Sequence, residues 1–193
     1  RVLAGACGLG IGLGLIRSDF GVIGREMVVQ DWIPQADLGE LAALNMVGYL
    51  LGCVHQAQLK GKAQLLRSLH LALAVGVLCL WLGALQSGEL GEGGLRVLAG
   101  WGAGHLMSGV PGLALAGVPA RHQRQAVATV MGGGALVALL GASAVAWLAP
   151  GSAAGAWLVL ACFGTVLAFP TLWLINRGQR RLRTSEQLGE EQQ

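Results

Sequence analysis

Charge is scarce in this chain: Asp, Glu, Lys and Arg make up 12% of its 193 residues, where soluble domains carry about 25%. No stretch is polar enough to form a separate water-soluble domain. Cysteine is sparse and unpaired, with Cys7, Cys53, Cys79 and Cys162 each alone in an apolar stretch and no Cys-x-x-Cys pair. That excludes a disulfide frame and a cysteine metal site, and leaves the thiols as small packing residues. No strand pattern precedes the glycines from Gly8 to Gly14, so they do not form a soluble phosphate loop. Two enzymatic classes lack a required partner. Ser108 is followed by Gly109, but no histidine lies beyond His122 to serve as the base of an intramembrane serine protease. His105 has no second histidine at matching depth to complete a b-type haem site. The chain is read as non-enzymatic, with no metal and no cofactor.

What fills the chain is apolar sequence, 54% hydrophobic with 32 glycines. Windows of about 20 apolar residues fall near residues 2–30, 38–56, 66–86, 95–117, 126–149 and 155–175. The expected fold class is therefore an all-α membrane protein with six transmembrane helices and both termini on one side. Lys60, Lys62 and Arg67 lie in one connection, Arg121 and Arg124 in another, and Arg177, Arg180, Arg181 and Arg183 in the tail. The alternate loops are poor in base, so the positive-inside rule puts both termini in the cytoplasm. Ten of the thirteen basic residues, counting Arg1, lie on that face. Orientation and anionic headgroups account for the net charge of +3, and nucleic acid is not an expected partner. The expected setting is the lipid bilayer of a bacterial inner membrane.

Residues 1–175 read as one bundle, and residues 176–193 as a cytoplasmic tail that is basic and then acidic, expected to lie at the interface as a helix that frays. The first span has no basic stretch ahead of a short apolar core, so it is not a signal peptide. The chain begins with Arg rather than Met, which fits a piece of a longer protein. Small residues four apart mark close helix contacts: Gly8 and Gly12, Gly10 and Gly14, Gly48 and Gly52, Gly100 and Gly104. The pentapeptide RVLAG at Arg1–Gly5 recurs at Arg96–Gly100, opening the first and fourth spans from opposite sides. Two inverted three-helix units would repeat in this way.

Function is expected on the first span, where Arg17, Asp19, Arg25 and Glu26 interrupt the apolar run. A charge at bilayer depth costs roughly 2.5–3.5 kcal/mol on insertion scales and therefore faces a bundle interior or wet cavity. At 100° per residue Asp19 and Glu26 fall about 20° apart, while Arg17, Arg25 and Asp31 spread over the other side within about 120°. Arg17, near the midplane, is the leading candidate to hold a carboxylate or phosphate, or to exchange ion pairs as a cavity opens; its alternative is a permanent structural pair. Asn45 and Tyr49 share a face on the second span, and either line the same cavity or hydrogen-bond between helices. Trp101, His105 and Ser108 form a similar stripe on the fourth. Asp19, Glu26 and His105 are the candidates for carrying protons; the alternatives are that His105 is a satisfied packing residue and that Arg25, Glu26 and Asp31 snorkel to the outer interface.

The segments GLGIGLGLIRSDF (Gly8–Phe20), LNMVGYLLG (Leu44–Gly52) and AGVPARHQRQAVATVMGGGALVALLGA (Ala116–Ala142) resemble the YbfB/YjiJ-like branch of the major facilitator superfamily. Its first helix reads Gly-x-Gly-Arg-Phe-x-Tyr and its second Asn-x-x-Gly-Tyr-x-x-Gly. The resemblance matches Arg17 and Phe20 to the first set, and Asn45, Gly48, Tyr49 and Gly52 to the second. Val22 and Arg25 stand where prolines are usual, Asp19 is an addition, and the loop from His55 to Lys62 lacks the acidic residue that normally opens it. The resemblance implies a half bundle, the N-terminal six helices of twelve, joined to a second half in the same chain or to another copy. It also implies proton-coupled transport of a small solute by alternating access, with Arg17, Phe20, Asn45 and Tyr49 at the cavity, to which the reading of the residues themselves adds Asp19, Trp101 and His105. Arg17 and Arg25 suggest an anionic substrate. The other reading is a six-helix scaffold or assembly partner that does not transport.

Overall fold

The computed structural model describes residues 1–18 and 20–190, and the described residues form an all-helical bundle with no strand among them. The first apolar run is helix α1 (Val2–Gly10), a π-helical segment (Ile11–Ser18) and helix α2 (Phe20–Val29). Then follow a short 3-10 turn (Gln35–Asp37), α3 (Leu38–Gln58), α4 (Lys62–Leu82), α5 (Gly88–Leu115), α6 (Ala120–Leu148) and α7 (Ala153–Glu190). Helix α7 runs past the apolar stretch into the tail without a break, carrying Pro170 inside it. A proline is tolerated in such a helix because neighbouring helices and side chains satisfy the freed carbonyls.

Among the described residues, five helices are long and apolar enough to cross a membrane: Val2–Val29, Gln35–Gln58, Lys62–Leu82, Ala120–Leu148 and Ala153–Arg181. They are the mark of an integral membrane protein. Helix α5, over the expected fourth span, is not among the five although it is 28 residues long. Its composition explains why. It is rich in glycine and carries Glu92, Arg96 and His105, all of them buried. A helix at the centre of a bundle meets protein rather than lipid, and α5 packs on α1, the π segment, α3, α4, α6 and α7.

Close approach is built from small residues. On α3 a Cβ at Gly48 or Gly52 would collide with the carbonyls of Val97 and Trp101, and on α5 a Cβ at Gly100 or Gly104 with those of Asn45 and Tyr49. The two helices run parallel and touch backbone to backbone, which only a pair of small-residue faces permits. Helix α1 meets α6 in the same way, Ala6 against Gly133 and Gly10 against Val137. It crosses α5 in the opposite sense, Gly5 against Ala114 and Gly8 against Val110. The first span is the most enclosed of the five, with 69% of its apolar window buried against 22–39% elsewhere.

The loops at the end opposite the basic residues are tied together. Asp31 ends α2 in the left-handed region, at φ 56°, a conformation that a short polar side chain tolerates. The neighbouring Gln30 reaches across to the last connection, where its Nε2 donates to the Gly151 carbonyl and its Oε1 accepts from the Ala153 N–H at 3.2 Å. One side chain thereby caps the start of α7 and fixes it beside the end of α2.

Candidate functional site

The most demanding residue in the bundle is one that the sequence places at a helix entrance. Arg96 sits two turns into α5 and is 1% exposed, and Glu92 one turn before it is also 1% exposed. Taking such groups out of water costs several kcal/mol per ion. The guanidinium carbon lies 4.5 Å from the centroid of Trp157 on α7 and 4.8 Å from that of Phe20 on α2. The two rings stand 6.5 Å apart at 33° and form a corner around the cation. Desolvated cation–π contacts of this kind contribute about 2 kcal/mol each, which offsets part of the burial cost, and Glu92 supplies the opposite charge from the same helix.

Hydrogen bonding in this cluster is incomplete. The Ser87 hydroxyl donates to Glu92 Oε1 at 3.2 Å, whereas Glu92 Oε2, Arg96 Nε and Trp157 Nε1 have no partner. Each of these three buried atoms left unsatisfied costs about 1–3 kcal/mol. Asn45 Nδ2 donates to the Arg96 carbonyl at 3.0 Å. The second-span asparagine is therefore a bond between α3 and α5, the second of its two sequence readings.

Arg17 lies on the π segment, half-buried, with its guanidinium carbon 5.0 Å from the centroid of the Tyr49 ring on α3. Of the second-span pair, Tyr49 thus meets Arg17, whereas Asn45 turns to α5. The wider π turn changes the angular step, so a 100° wheel drawn from α1 does not carry across Ile11–Ser18 to α2. Asp19 itself lies outside the described residues. Glu26 is half-buried on α2, whose main neighbour is α7, and Arg25 is exposed.

A third group joins α3 to α5 further along. His105 is fully buried, its Nδ1–H donates to the Trp101 carbonyl at 3.0 Å, and its Nε2 has no partner. Its ring lies 4.2 Å from that of Trp101 and 4.9 Å from that of His55, edge to face. His55 looks uninformative in the sequence because it stands near a helix end. It continues the face of Asn45, Gly48 and Gly52, and that spacing is the signal that brings it to His105.

The structure therefore gathers Phe20 and Asn45 around Arg96, Tyr49 around Arg17, and Trp101 around His105. Arg96, Glu92 and Trp157 are the residues that the sequence leaves out. The four cysteines are free, and no group of three or more metal-ligating side chains occurs among the described residues. No protein family, curated protein sequence or solved structure matches the chain.

Proposed function

We propose that this chain is the six-helix half of a secondary transporter of the major-facilitator type, with α5 as the fourth of its six membrane spans, both termini cytoplasmic and the bacterial inner membrane as its site. The observation that carries the reading is the placing of two arginines on aromatic faces in the bundle, Arg17 over the Tyr49 ring and Arg96 over those of Phe20 and Trp157. An arginine on a π face keeps donors for a second partner, whereas a fork closed on a carboxylate has spent them. The helix pairing supports the architecture. Interchange of two inverted three-helix units would turn the contact of α3 with α5 into that of α6 with α1, and both pairs are parallel and built on small residues. The exposed apolar faces, Met46, Val47, Leu50 and Leu51 on α3 and Leu136, Leu139 and Leu140 on α6, suit lipid, a second half in the same chain, or a second copy.

In this reading a small anionic solute binds between the halves near the midplane on Arg17, and proton movement uses Asp19, Glu26 or His105. Rocking of the halves then exposes the site to each side. The test is uptake of candidate anions into vesicles by the full protein and by Arg17→Gln. Transport that is lost in the variant while membrane insertion is unchanged supports the proposal.

The second reading, a scaffold that does not transport, is favoured by one observation: Arg96 is sealed at 1% exposure and Asn45 is spent on a helix contact. Under that reading Arg17→Gln is silent.

A further inference from the structure

The end of the bundle that carries the basic residues holds a cavity of about 790 Å³, within the ~300–1,000 Å³ range of small-molecule sites. Five helices contribute to it through the start of α1, the end of α3, the start of α4, the end of α5 and the middle of α7. Its wall is largely apolar, from Leu65, Leu66, Leu113 and Leu174. Arg1, Lys62, Arg177 and Arg181 stand around it, and the described residues that line it include no acid. Desolvation, and then the like charges of Arg177 and Arg181, lower the Arg1 guanidinium from its ordinary value. These cations crowd one another with nothing opposite in the lining to neutralise them.

A second, independent feature lies deeper. Gln56 lines the same cavity and is 7% exposed. Its Oε1 accepts from the Ser68 hydroxyl at 3.2 Å, but its Nε2 has no partner. A buried amide with two unused N–H donors costs stability unless something accepts from it.

We propose that this cavity is a binding site for an anionic phospholipid. The phosphate sits among Arg1, Lys62, Arg177 and Arg181, an ester oxygen accepts from Gln56 Nε2, and the start of an acyl chain lies along the four leucines. Charge without counter-charge selects the head, and the apolar wall selects a lipid over a free phosphate. Basic pockets between helices at the membrane surface bind anionic headgroups through this combination. The site is separate from the arginine–aromatic clusters and does not depend on the transport reading.

The test is native mass spectrometry of the purified protein in detergent with phosphatidylglycerol or phosphatidylcholine. Phosphatidylglycerol is expected to bind in preference to phosphatidylcholine, and Arg177→Gln/Arg181→Gln to weaken it roughly tenfold. The charge-matched Arg121→Gln/Arg124→Gln, on α6 and outside the cavity, should bind as the parent does. Gln56→Leu should lower lipid binding without lowering thermal stability, because Ser68 still donates to the Leu65 carbonyl. Equal binding of the two lipids, equal loss in both charge variants, or an unchanged Gln56→Leu would each overturn the proposal. So would full displacement of the lipid by equimolar inorganic phosphate, since the site would then read phosphate alone.

Discussion

The guanidinium of Arg96 lies 4.5 Å from the centre of the Trp157 ring, joining α5 to α7 across 61 positions of sequence in a site 1% open to its surroundings. Phe20 completes the corner from α2. Three helices thus converge on one cation, and the order of the bundle at this level depends on it.

Trp157→Ala should destabilise the protein by about 3–5 kcal/mol, the range for truncating a buried aromatic, with the lost cation–π contact as one part of the total. Trp157→Phe keeps a ring face and removes an indole N–H that has no partner, so it should lose less than half as much. Thermal unfolding in detergent measures both. A Phe variant as damaged as the Ala variant would point to shape, and not the π face, as what Arg96 needs.

Glu92→Gln removes the opposite charge that the buried Arg96 has on its own helix and should cost about 1–3 kcal/mol. Replacing both groups, Glu92→Gln with Arg96→Met, should restore most of that loss, because no buried charge then remains to be desolvated. A double-mutant cycle reads the coupling. Additive losses would mean that Glu92 does not act on Arg96.

Glycine positions separate close contact from open surface. Gly52→Ala brings a Cβ against the Trp101 carbonyl, whereas nothing lies within 4 Å of a Cβ at Gly132 on α6. The first should destabilise by about 1–3 kcal/mol through overpacking. The second should be neutral or stabilising by up to about 1 kcal/mol, since Ala is the better helix former. Denaturation midpoints of the two variants decide it, and a tolerated Gly52→Ala would refute the tight α3–α5 contact.

Tyr49→Phe keeps the ring under Arg17 and should leave transport by the proposed carrier near the parent rate. Tyr49→Leu removes the contact, worth about 0.5–1 kcal/mol where partly exposed, and should slow transport by roughly two- to fivefold. Vesicle uptake measures both. A Phe variant that loses flux while Leu does not would assign the function to the hydroxyl.

Much of the packing is legible in the sequence. Gly48, Gly52, Gly100 and Gly104 stand four apart and become the α3–α5 contact, and Asn45 and Tyr49 share one face and meet α5 and Arg17. The expected spans at 38–56 and 126–149 become α3, Leu38–Gln58, and α6, Ala120–Leu148. These succeed because a helix's own periodicity decides which residues share a side. His55 is missed because nearness to a helix end outweighs, in a linear reading, the face it continues. The π turn is missed because the 100° step assumes that each hydrogen bond closes four residues back.

By itself the sequence determined that the chain is helical, that its helices are apolar enough for a membrane and that small residues would let them touch. These follow from composition and local spacing. The tertiary structure alone decided the fate of Arg96. Two turns from the start of a helix, an arginine is free to snorkel to the interface, and nothing local prevents it. Phe20 and Trp157, from elements far away in sequence, close over it, and a charge that could have reached water is held inside.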